Sequence, residues 1–141
     1  MRILLPLVLL LALAASAKAQ ASADSDAAAL ALRSQQLLNE YSIGAAEPEA
    51  MKYAQRLRLT RATLDRQFEK WPVAGAAGAA SAEKFSACKS ALQTASALAG
   101  LSGQKAIRSV DEALFQTEKA RLQELRVECA AQLKRAGVAT R

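Results

Sequence analysis

Two cysteines, Cys88 and Cys129, stand 41 residues apart in a chain that has no histidine. Histidine is the usual general base near neutral pH and the usual transition-metal ligand, so haem, copper, zinc and Ser-His hydrolase chemistry lose their standard parts. The cysteine spacing excludes a C-x-x-C redox pair, and the C-x-x-C-H attachment motif is missing. Neither a P-loop nor a Rossmann glycine pattern occurs. Glu124 and Glu128 stand four residues apart, but the Glu-x-x-His partner that would complete a carboxylate metal site in a bundle cannot be built here. Arg121 and Lys134 neighbour the pair, which fits a solvated helix face better. No catalytic residue, cofactor or metal ligand is expected.

What remains is charge and sulfur. Lys52, Arg56, Arg66 and Lys70 recur at spacings that gather them on one side of a helix with Leu59 among them, a face suited to an anionic partner or simply to water. Arg61 and Glu118 each interrupt an apolar stripe. They read either as an ion pair between helices or as two side chains snorkelling at the stripe edges, with Arg61 reaching Asp65 one turn away. Cys88 and Cys129 each lie on an apolar stripe, and an oxidising compartment would join them.

The compartment follows from the start of the chain. Arg2, an apolar run from Ile3 to Ala15 and the small residues Ala17 and Ala19 form the basic, apolar and small-x-small sections of a secretory leader. The expected cut follows Ala19, with Ala17 as the alternative. The run falls short of the about 20 residues needed to cross a hydrocarbon core, so an uncleaved anchor is disfavoured. No later stretch would span a membrane, and the mature chain is expected to be exported, to the periplasm, with the cell exterior as the alternative. Removing 1–19 takes Arg2 and Lys18 from the 19 basic side chains against 13 acidic ones, so the mature excess of positive charge is smaller than the full chain's +6. One domain over 20–141 is expected.

The elements that must position these residues are helices. Alanine supplies 34 of 141 residues and the aromatics only six. Alanine favours helix but buries little area, so a thin, closely packed core follows. A first helix is expected from Ser25, with Asp24 and Asp26 at its positive end, a stripe of Ala27, Leu30, Ala31, Ser34, Leu37, Leu38 and Tyr41, and Gly44 as its cap. A second opens at Pro48, buries Ala50, Tyr53, Ala54, Leu57, Leu64, Phe68 and Trp71, and is stopped by Pro72. Residues 72–80, uncharged and carrying two glycines, read as a flexible connector. A third helix, capped by Ser81, places Phe85, Cys88, Leu92, Ala95 and Ala99 on one face and ends at Gly100. A fourth begins at the capping-box pattern starting at Ser109, puts Leu114, Phe115, Leu122, Leu125, Cys129 and Leu133 together, and stops at Gly137.

The predicted fold class is all-α, a small helical bundle of four helices, with a three-helix or extended-hairpin arrangement as the alternative. A disulfide constrains it further, because its Cα atoms must lie within about 7 Å. Cys88 precedes Gly100 by roughly 18 Å of helix and Cys129 follows Ser109 by roughly 30 Å. Residues 101–108 must absorb the difference, as a short helix continuing the third would, whereas a tight turn at Gly100 would not. The functional expectation is an exported, non-enzymatic interaction protein whose partner is another protein. The alternative is a chaperone-like or envelope-surface protein engaging anionic components through the basic face. Nucleic acid is not expected, since export removes it and no aromatics interleave with the charges.

Overall fold

The computed structural model describes residues 4–41 and 49–139, the side chains of 4–15 excepted. It is all-helical, with no strand among the described residues: α1 Leu4–Glu40, α2 Ala50–Phe68, α3 Ala79–Glu83, α4 Ser86–Lys105 and α5 Glu112–Arg135. Four long helices and one short one are compatible with a small helical bundle, and α4 is its axis. It packs against α2, α5 and α1, while α1 also touches α3 and α5.

The composition of α4 explains its central place. Ala91, Ala95 and Ala99 are at most 1% exposed, and these small side chains let neighbouring helices approach closely. Leu92 and Leu98 fill the space between them, joined by Leu64 from α2 and Leu133 from α5, all almost fully enclosed. Both neighbours run antiparallel to α4. On the α2 side, Asp65 accepts from the Ser96 hydroxyl and Leu57 lies beside Gly103. On the α5 side, the Gln132 side-chain oxygen accepts from the Ala87 amide 3.1 Å away, satisfying an N–H in the first turn of α4 that has no helical partner.

Several expected boundaries move, each for a visible reason. α1 does not begin at Ser25. It runs unbroken from Leu4 through Ala17 and Ala19, because Pro6 falls in the first turn, where proline is tolerated, and the alanine-rich residues that follow contain no breaker, so Asp24 and Asp26 lie inside a helix rather than at its start. Gly44 and Pro48 lie outside the described residues. α2 ends at Phe68, three residues short of Trp71, and Ala50 is exposed at its first turn, yet Trp71 is only 4% exposed and belongs to the core.

Residues 72–80 form two successive hydrogen-bonded turns, Ala76 N–H to Val73 O and Ala79 N–H to Ala76 O. Gly75 and Gly78 occupy the third position of each with φ +82° and +78°, the left-handed conformation that such turns require and that side chains resist. The expected third helix is split at Phe85, which caps α4 with its backbone and buries its ring, so Ser81 sits within α3 rather than capping it.

Gly100 does not end α4. The helix continues through Gly100 and Gly103 to Lys105, and the two glycines face α2: a Cβ at Gly100 would stand 3.1 Å from Arg61 Nη1, and one at Gly103 would stand 3.8 Å from Leu57 Cβ. They serve close packing, not termination. The helix start at Ser109 is likewise displaced. The cap is Asp111, whose carboxylate accepts from the Leu114 amide at 3.1 Å. At the far end Gly137, at φ +72°, closes α5 with two bonds, Gly137 N–H to Lys134 O and Val138 N–H to Leu133 O, the paired pattern of a Schellman cap.

Candidate functional site

Cys88 and Cys129 are joined, with Cα atoms 4.6 Å apart and both residues fully buried. The continuation of α4 to Lys105 is what makes this possible. Lys105 follows Cys88 by as many residues as Glu112 precedes Cys129, so the two helical arms rise equally from the turn and bring the sulfurs level. Lys105 also ties that turn. Its ammonium lies 2.6 Å from Glu112 Oε2 and 4.4 Å from the centre of the Phe115 ring. The hydrogen bonds from Lys105 and then Gln116 hold the Glu112 carboxyl below the usual carboxylate range. Both cysteines are taken up in this bond, and neither remains as a free thiol.

The basic face divides when seen in place. Lys52, Arg56 and Arg66 are exposed on α2, whose opposite side packs on α4. Lys52 is paired with Glu49 at 2.8 Å, and the Arg56 guanidinium lies 5.5 Å from the centre of the Tyr53 ring. Among the described residues Arg66 donates to neutral oxygens, Ala62 O and Thr63 Oγ1. Lys70 falls beyond the end of α2 and lines a groove against α1, so it does not share the face with the other three. Two large apolar side chains are left open on the same helix, Leu59 at 66% and Met51 at 71%.

The ion pair between Arg61 and Glu118 does not form. Arg61 reaches Asp65, with Nε 3.7 Å from Oδ2, and its guanidinium lies over Gly100. α4 stands between α2 and α5, which separates the two charges, and Glu118 has no ion-pair partner among the described residues. Glu128 is bound by Arg135 rather than by Glu124's neighbourhood. Among the described residues no group of three or more Cys, Asp or Glu could hold a metal ion.

One polar cluster has no sequence signal. Asp24 on α1 accepts from the Ser81 hydroxyl and, at 2.9 Å through each carboxylate oxygen, from Lys84. Gln20 Nε2 donates to Asp24 Oδ1 and to Ser81 Oγ, each at 3.0 Å. Ser81 is 2% exposed, and its hydroxyl, followed by Lys84, holds the Asp24 carboxyl below its ordinary value. The partners are about 60 residues apart in sequence, so no local pattern could have announced them.

Besides a groove beside Asp24 and Lys84, two others mark the described surface. One of about 590 Å³ separates α1 from the turns after α2 and is lined by Ala23, Ala27, Leu30, Pro72 and Ala82, with Asp26 and Lys70 as its charged members. A smaller one of about 200 Å³ lies between α2 and α4, where Leu57 and Ile107 meet Arg58, Arg61 and Gln104. Neither groove is lined by a cysteine, so the disulfide opens into neither. Compared with protein-family models, with curated proteins and with solved structures, the chain matches none.

Proposed function

We propose that this chain is an exported, non-enzymatic helical domain that works by binding another protein, with the open face of α2 as its contact surface. The observation that carries the reading is the makeup of that face. Lys52, Arg56 and Arg66 project from the side of α2 turned away from α4, and Leu59 and Met51 are exposed among them. Cationic groups around a few open apolar side chains complement an acidic surface with apolar patches, where long-range attraction speeds encounter and apolar burial holds the complex. Export is supported by the leader pattern and by the enclosed disulfide, a bond that persists in oxidising compartments.

The test is cross-linking and co-purification from the native envelope, with the wild-type chain beside a variant carrying Lys52→Gln, Arg56→Gln and Arg66→Gln. A protein partner lost in the variant, and released by raised salt, is the expected result. Retention of every partner by the variant would overturn the assignment of this face. Salt-dependent binding of the purified chain to anionic vesicles, with no protein captured, would replace the protein partner by an envelope surface. No described helix is long and apolar enough to cross a membrane, so such binding would be peripheral.

A further inference from the structure

We infer that the mature chain begins with pyroglutamate, formed from Gln20. The inference rests on the export reading, in which the leader is cut after Ala19, and adds a covalent modification to it. A cut at that point turns the backbone nitrogen of Gln20 into a primary amine. A terminal glutamine can then close on itself. The α-amine nitrogen attacks the side-chain Cδ, the N–Cδ bond forms, the Cδ–Nε2 bond breaks, and Nε2 leaves as ammonia with a proton from the amine. The product is a five-membered lactam, and no oxidant or second substrate is consumed.

Two features of the fold favour this reaction at Gln20, and a third lets the fold bear it. First, the residue is exposed, so a lactam ring meets no packed neighbour. Second, the cut removes the preceding turn of α1. The Gln20 nitrogen then belongs to the first turn of a helix, where backbone nitrogens have no intrahelical acceptor, so no helical hydrogen bond has to break before it attacks. Third, the leaving nitrogen can be spared. Its contacts to Asp24 and Ser81 are lost on cyclisation, but the Ser81 hydroxyl still donates to Asp24 and Lys84 still donates to both carboxylate oxygens. Cyclisation also removes an ammonium from the positive end of α1, where the helix dipole opposes a cation. A blocked terminus resists aminopeptidases, an advantage in an envelope or extracellular space.

The experiment is intact-mass measurement and amino-terminal sequencing of the exported protein recovered from its native host. The expected mature chain is lighter by one ammonia than the sequence from Gln20 onward, gives no sequencing signal, and reads from Ala21 after pyroglutamyl aminopeptidase treatment. The Gln20→Ala variant, cut at the same place, should give a readable terminus without that enzyme. A free amine on Gln20 would overturn the inference while leaving the export reading intact. A chain that begins at Met1 would overturn both.

Discussion

Replacing Gly103 by alanine tests the path of α4 more sharply than any deletion, because the two readings of that glycine predict opposite signs. If α4 ended at Gly100, an alanine beyond it would serve no helix and would strain any left-handed turn. In the structure Gly103 is inside the helix, and an added Cβ meets Leu57 Cβ at 3.8 Å and the Ala54 carbonyl oxygen at 3.9 Å. These are ordinary van der Waals separations, so nothing must move. Alanine is about 0.8–1 kcal/mol more favourable than glycine inside a helix. Gly103→Ala should therefore stabilise the fold by about 1 kcal/mol, which for a domain of this size raises Tm by about 4 °C. At Gly100 the same Cβ would stand 3.1 Å from Arg61 Nη1. That atom ends a flexible and largely exposed side chain whose pairing with Asp65 contributes little, so the guanidinium can swing aside. Gly100→Ala should be neutral to stabilising by less than Gly103→Ala. The assay is thermal and urea unfolding followed by circular dichroism at 222 nm, a standard helical wavelength. A loss of about 1 kcal/mol at Gly103 would refute the continuous helix and, with it, the account of how the cysteines come level.

Reducing the disulfide, or replacing both cysteines by alanine, should cost about 4 kcal/mol on the chain-entropy treatment of a 41-residue closure, read as a lower denaturant midpoint in reducing than in non-reducing buffer, or in the variant than in the wild type. Leu92→Ala, at a side chain with no exposure, should cost about 2–5 kcal/mol in the same assay. Trp71 should emit at blue-shifted wavelength in the native state and shift to the red on unfolding. Asp24 should mark the acid limb of stability. Its folded pKa is depressed, so its contribution is complete above its unfolded value of about 3.9 and is lost as pH falls through the lower folded value. Asp24→Asn should flatten the stability profile below about pH 4 while leaving its shape near neutrality unchanged.

Periodicity located the buried faces well, since a stripe is a local property. Leu57 and Leu64 on α2, Cys88, Leu92, Ala95 and Ala99 on α4, and Leu122, Cys129 and Leu133 on α5 are all buried where the spacing placed them. The helix ends were harder, because the same residue types serve two purposes. Gly100 and Gly103 have the local look of stops, but the approach of α2 uses them as clearance, a fact that depends on residues some forty positions earlier. Ser109 and Asp111 are both good caps, and the choice went to the one whose carboxylate reaches Leu114. Leu114 itself, placed on the inner stripe by spacing, is 46% exposed, because α1 does not extend over the start of α5. The basic face was legible only while Lys70 was counted as part of α2. The Asp24, Ser81 and Lys84 cluster was invisible, since its members come together only when α3 docks on α1.

The equal arms of α4 and α5 make this part of the molecule a covalent loop, closed by sulfur at one end and by backbone at the other. Any single cut between Cys88 and Cys129 therefore leaves one molecule rather than two fragments. The exposed bend around Ile107 and Arg108 is where a protease would strike first, and a nick there separates nothing that the bundle needs joined. The helices on either side stay registered by the sulfur bridge, so the nicked protein keeps its shape and its α2 face. The fold thereby tolerates such damage rather than avoiding it.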